Sequence, residues 1–200
     1  TLERFRRLAD VAAHDLRLCK LFEGHTDALA IMAELGSPPM PQGSTWGTWA
    51  AEPPTAKVRV QNDGHCLRVH GRKAWCSGAA VVSHGLLTAW DEQDRQQLVA
   101  VPMQQPGVCV TDEGWHAVGM AATGSVEIVF DNASAVAVGG PGDYLARPGF
   151  WQGGVGIEGG IGPGPRSRGV IGGFGFRHIR GLVATGCGQQ LTFLVSSSRT

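Results

Sequence analysis

Between Thr45 and Val138 the chain returns again and again to short apolar-rich segments separated by turn residues, with no helical period between them. The segments are Trp46–Ala51, Val58–Gln61, Cys66–His70, Val81–Trp90, Leu98–Pro102, Val108–Val110 and Val126–Phe130. Strands this short and this evenly spaced, with no helices between them, suggest a sandwich or a barrel. Asn62-Asp63-Gly64 reads as a tight turn between two of them, since Gly accepts the positive φ that such a turn needs. Asp91 to Arg95 reads by charge as the solvated tip of another hairpin.

Helices precede this region. Leu2, Phe5, Leu8, Ala9 and Ala12 fall on one helical stripe. Asp15 is placed to cap a second helix with Leu18, Phe22, Leu29, Met32 and Ala33 on its expected apolar face, and Gly36-Ser37-Pro38-Pro39 stops it. His25 lies on or beside that face and reads as a packing histidine. After the strands the composition changes: 18 of the 30 glycines lie at or beyond Gly139, and no Asp or Glu follows Glu158. No long helix can be drawn there. The expected fold is α+β: N-terminal helices over 1–40, an antiparallel β-barrel or sandwich over 41–143, and an irregular Gly-rich tail over 144–200.

Charge excludes some functions. Lys and Arg number 17, as do Asp and Glu, so nothing favours a nucleic acid or an anionic membrane surface. No apolar run is long enough to span a bilayer. The 5 cysteines are odd in number and scattered, which points to free thiols in a reducing cytoplasm. The chain opens on Thr1 directly in a helical pattern, so its natural N-terminus is expected to lie upstream.

The candidate chemistry centres on Gly71-Arg72-Lys73-Ala74-Trp75-Cys76-Ser77-Gly78. A tryptophan two residues before a serine pairs a flat apolar surface with a hydroxyl, which suits a planar heteroaromatic ligand; Trp75 packed in the core is the plainer reading. Three other patterns fail on physical grounds. Gly154 to Gly159 has the letters of a dinucleotide fingerprint, but no strand leads into it and Pro163 and Pro165 forbid the helix after it. His65, Cys66, His70 and Cys76 match no zinc spacing, so no metal site is expected. Ser77 has no nucleophile elbow around it.

Five stretches then follow in one order: Glu23-Gly24-His25-Thr26-Asp27-Ala28; Ala51-Glu52-Pro53; Gly71 to Gly78; Leu98 to Pro102 with Gly107-Val108; and Gly119-Met120 with Thr123, Ser125, Phe130 and Asp131. In this order, from about Leu16 to about Gly154, the chain resembles the acyl-CoA dehydrogenase family. The resemblance implies a helical domain, a middle β domain and a C-terminal helical bundle, with FAD between the last two. It implies that the backbone of Thr48, Trp49, Ala50 and Ala51 lies along the flavin. The Trp75-Cys76-Ser77 turn would pack the ring and hydrogen-bond its edge, with Ser77 in place of the family's threonine. Two stretches depart from the family: Ala51 stands for a threonine, and Pro54-Thr55-Ala56-Lys57 replaces a Gly-x-Gly-Ser-Asp loop. The reaction implied is α,β-desaturation of an acyl-CoA. Its glutamate base belongs to the C-terminal bundle, so no catalytic residue is assigned in this chain. Beyond about Val155 the sequence is expected to be a truncation or a shifted reading frame. An acyl-CoA substrate, an electron-accepting flavoprotein and a homo-oligomer are the implied partners. The alternative is a non-catalytic flavin-binding or interaction β domain.

Overall fold

The computed structural model describes residues 2–37, 39–62, 66–114, 118–154, 182–185 and 192–195. It has two compact units, Thr1–Arg147 and Pro148–Thr200.

The first unit begins with two helices, α1 (Leu2–His14) and α2 (Leu16–Glu34). Asp15 caps α2 as its sequence position suggests: its carboxylate accepts from the N–H groups of Arg17 and Leu18 at 2.7 and 3.3 Å. At the other end the Gly36 N–H reaches Ala33 O and the Ser37 N–H reaches Met32 O, which closes α2 with a Schellman pair of hydrogen bonds. The buried face of α2 differs from the expected one. Ala28, Ile31 and Met32 are buried, whereas Leu18 and Ala33 are exposed. The reason is where α2 docks. The Thr48 hydroxyl donates to Gly24 O at 2.7 Å and the Trp46 N–H donates to His25 Nδ1 at 3.2 Å, which turns the Gly24–Ala28–Ile31 stripe toward the first strand. His25 is thus a packing residue, and burial lowers its pKa.

Seven strands follow: β1 (Trp46–Trp49), β2 (Val58–Asn62), β3 (Leu67–Cys76), β4 (His84–Trp90), β5 (Gln96–Pro102), β6 (Val108–Gly114) and β7 (Val126–Val138). Five of them form a closed circuit in which β4 pairs β2, β2 pairs β3, β3 pairs β7, β7 pairs β5, and β5 returns to β4. β1 is added outside the circuit along β4, and β6 along β7. The barrel is mixed rather than purely antiparallel, because β1 and β2 both run parallel to β4. Its interior holds Val58, Val69, Leu87, Val99, Val101, Ile128 and Phe130. β3 and β7 are longer than their apolar runs suggest. β4 starts later, because the N–H groups of Val81 and Val82 both turn back to Gly78 O. Of the expected turn Asn62-Asp63-Gly64, Asn62 ends β2 opposite Leu67 of β3, and residues 63 and 64 lie outside the described residues. Asp91–Arg95 does form a hairpin tip, with Trp90 opposite Gln96.

Gly71 (φ +114°) lies where β3 passes the residue before β2: a Cβ there would lie 2.2 Å from Lys57 O, so no other residue fits. A short helix, α3 (Asp143–Ala146), ends the unit. In the second unit α4 spans Pro148–Gly154, and β8 (Leu182–Thr185) pairs antiparallel with β9 (Thr192–Val195). The remaining tail, including residues 155–159 of the glycine fingerprint, lies outside the described residues. Among the described residues no helix is long and apolar enough to cross a membrane.

A polar cluster joins the helices. Arg4 of α1 reaches Thr26 at 3.2 Å and the Asp27 carboxylate at 3.5 Å; Arg147 binds Glu34 at 2.9 Å and lies over the ring of buried Tyr144. Burial, reinforced by Glu23, pushes the Asp27 carboxyl up to about 6 against the pull of Arg4 and Arg147. A carboxyl raised in the fold binds more protons than in the unfolded chain between pH 3.8 and about 6, so its contribution weakens as pH rises through that window. Asp27→Asn should therefore gain stability relative to the parent by about 2 kcal/mol between pH 4 and pH 7.5, read from paired urea denaturation curves. An unchanged difference across that range would show that Asp27 keeps an ordinary pKa.

Candidate functional site

The second half of β3 carries the chemistry. Strand alternation points Val69, Gly71 and Lys73 to one side, so Lys73 is directed into the barrel and is fully buried. A buried ammonium needs acceptors. Lys73 Nζ donates to Glu52 Oε2 at 3.1 Å, to Thr88 O at 3.1 Å and to Thr88 Oγ1 at 2.7 Å. Thr88 Oγ1 in turn donates to Ala50 O at 3.1 Å, and Trp90 Nε1 donates to Glu52 Oε1 at 2.5 Å. Burial lowers the Lys73 pKa and the neighbouring Glu52 carboxylate raises it again. The segment after β1 is thereby fastened to β3 and β4 through the side chains of Glu52, Lys73, Thr88 and Trp90.

Two residues further on, Trp75 sits at φ +62°, a left-handed conformation that costs a bulky residue about 1–3 kcal/mol. The pairing of β3 with β7 slips between Lys73 and Cys76 as a result. Trp75 lines a shallow cleft of about 320 Å3 together with Pro53, Thr55, Ala56, Ala74, Glu113, Gly114 and Glu127. Arg72 engages both carboxylates of that cleft, donating to Glu127 at 2.6 Å and lying 3.7 Å from Glu113. Past the bulge the chain turns sharply: the Ser77 N–H returns to Trp75 O at 3.1 Å and the Gly78 N–H reaches Thr123 O at 2.8 Å. The half-buried Ser77 hydroxyl lies 2.6 Å from Ser125 Oγ, which is 3.1 Å from Thr123 Oγ1.

The residues singled out from the sequence fall into three positions. Trp49 Nε1 donates to Ser77 O at 3.1 Å, so the end of β1 and the Trp75–Ser77 turn are directly joined. The Trp49 ring is buried against Gly85, where a Cβ would come within 2.2 Å of it. Thr48 turns its hydroxyl to α2, and Ala50 and Ala51 are half-buried. β1 pairs with β4 on one side only, which leaves its other edge without a strand among the described residues. The Cys76 thiol is fully buried, bonded to Lys73 O at 3.2 Å, and burial pushes its pKa up, so Cys76 presents only backbone to a ligand. Of the four residues weighed for zinc, His70 Nδ1 accepts the Asn132 N–H at 3.2 Å and Cys76 is in the core, while His65 lies outside the described residues. Sequence reasoning missed the Glu52–Lys73–Thr88–Trp90 network, although a lysine at an inward strand position was a legible demand for a carboxylate. It also gave no role to Thr123 and Ser125.

Comparison with known proteins bears on this geometry. Residues 44–133 match the sequence profile of the acyl-CoA dehydrogenase middle domain. The β domain of this chain is similar to the middle domain of that family. It holds both the β1 edge and the Trp75–Ser77 turn. Among solved structures, dibenzothiophene monooxygenase of Paenibacillus sp. A11-2 aligns with TM-score 0.59 and 26% identity over 73% of this chain and 41% of its own. Its complex with FMN and indole aligns with TM-score 0.61 and 25% identity over 73% and 40%. A nitrososynthase of Micromonospora carbonacea var. africana shares the fold at 21% identity, TM-score 0.51, over 69% of this chain and 42% of that one. The chain thus spans about two fifths of these structures' length. No curated protein sequence matches it.

The buried ion pair makes a separable prediction for the middle domain. Lys73→Met leaves the Glu52 carboxylate without its cation and should cost about 3 kcal/mol. Adding Glu52→Gln keeps an acceptor for Trp90, removes the stranded charge and should restore most of that loss. Urea denaturation of the two variants checks this; equal losses in both would mean that the charge of Glu52 is irrelevant.

Proposed function

We propose that this chain carries the flavin-binding β domain of a flavin-dependent oxidoreductase with the acyl-CoA dehydrogenase fold. The observation that carries the reading is the hydrogen bond from Trp49 Nε1 to Ser77 O, which brings the free edge of β1 and the Trp75–Ser77 turn together. The residues fit a flavin by their chemistry: a strained, half-buried indole beside an open cleft, a hydroxyl two residues away, and an edge of β1 with no strand beside it among the described residues. Trp75 would cover the ring, Ser77 would meet its edge, and the backbone of Thr48 to Ala51 would run along it. A bound flavin supplies a two-electron acceptor. The chain's own groups bind it, orient it and keep water from one of its faces.

Two reactions follow from this site. Desaturation of an acyl-CoA, with FAD and an electron-accepting flavoprotein as partner, is what the family resemblance implies, in a homo-oligomer as is usual there. Oxygenation of a small planar substrate with FMN is the second, suggested by the dibenzothiophene monooxygenase complex with FMN and indole. The cleft favours the second. Among the described residues its lining, which includes Pro53, Thr55 and Ala56, offers no cation for the phosphates of a CoA ester. Lys57 is drawn away over the Trp90 ring and toward Asp94, and Arg72 is held by Glu113 and Glu127.

Titration with FMN and with FAD, followed by flavin and tryptophan fluorescence, tests the binding. Saturable quenching is expected, and Trp75→Ala should weaken it at least tenfold at unchanged far-ultraviolet circular dichroism. No saturation by either flavin would remove the proposal. Loss of flavin colour on anaerobic addition of an acyl-CoA would reverse the preference between the two reactions.

A further inference from the structure

The three hydroxyls behind the Trp75 turn have a direction. A hydroxyl has one proton to donate. Thr123 Oγ1 gives its proton to the carbonyl of Met120 at 2.8 Å, because a carbonyl can only accept. Its contact with Ser125 at 3.1 Å is then a hydrogen bond only if Ser125 donates. Ser125 has no proton left for Ser77, so at 2.6 Å it is Ser77 that donates to Ser125. Thr123 is buried and starts the chain from a turn whose carbonyl is fixed by a further bond, the Gly78 N–H to Thr123 O at 2.8 Å. The Ser77 proton is therefore turned inward, which leaves only lone pairs on its half-buried oxygen for a ligand that reaches it.

We infer that the Thr123–Ser125–Ser77 chain makes Ser77 a hydrogen-bond acceptor, so that the site holds the reduced form of a flavin ring more tightly than the oxidised form. The inference rests on the flavin reading of the site. Two-electron reduction with proton uptake converts ring nitrogen N5 from a bare acceptor to an N–H donor. An inward-turned Ser77 accepts from that N–H and meets the bare nitrogen lone pair to lone pair. Thr123 and Ser125 are positioning residues here: they touch no ligand and act by fixing one proton.

The test uses the full chain with riboflavin, oxidised or reduced by dithionite under anaerobic conditions, and measures the dissociation constant of each form and the midpoint potential of the bound ring. The parent should bind the reduced form about 3- to 10-fold more tightly, the effect of one hydrogen bond. That corresponds to a potential about 15–30 mV above that of free riboflavin. Ser125→Ala frees the Ser77 proton to turn outward. It should weaken binding of the reduced form while leaving that of the oxidised form equal or tighter, and Thr123→Val should shift both in the same sense. A merely structural role would weaken both forms together, and that result overturns the inference, as does an unchanged ratio in the variants. A parent that binds neither form overturns the flavin site itself and the inference with it.

Discussion

The ammonium of Lys73, sealed in the barrel, is the constraint from which the local structure follows. An unpaired charge there would be untenable, so the chain must bring Glu52 and Thr88 to it. Meeting that demand fixes the course of the segment after β1, which has no strand partner of its own past Trp49. Ala50 is caught through Thr88, and Glu52 is held from its other side by Trp90. The same strand that buries Lys73 carries Trp75 two residues later, so the inward lysine and the tryptophan of the cleft are set by one register. A shift of one residue in β3 would expose the lysine and bury the wrong neighbours.

The barrel and the helices are joined by polar contacts as well as apolar ones. α2 meets β1 through Thr48 and His25, and Trp49 at the end of that strand meets the Ser77 turn. A continuous line of named contacts thus runs from α2 through β1 to the cleft. Placement of the helix and shape of the candidate site are parts of one arrangement.

Much of this was legible in the sequence. Both helices, the Asp15 cap, the stop at Gly36 and all seven strands follow from periodicity and turn chemistry. The buried face of α2 was not legible, because a helix with apolar residues most of the way round takes its inward side from its dock, here the backbone of Gly24 against Thr48. The parallel partnerships of β4 were hidden for a similar reason: alternation shows which residues face inward but not which strand lies alongside. The stretch Gly71 to Gly78 stood out through its tryptophan and serine. The left-handed Trp75 has no local signature, since only the surrounding barrel imposes it. The inward direction of the Ser77 proton depends on Thr123 and Ser125, some 50 residues away in the chain, and no spacing rule reaches that far.

The closed circuit of strands also dictates the order in which the molecule can be made. β3 finds its second neighbour only in β7, and β5 likewise closes against the last residues of β7, Val136 to Val138. While the chain is being synthesised, the hairpins β2–β3 and β4–β5 exist long before the residues that seal them. Until β7 arrives, the edges of β3 and β5 that it covers have no partner from it. Non-local pairings of this kind slow folding and leave the nascent chain open to wrong partners. The last strand of this barrel to appear is the one that closes the circuit.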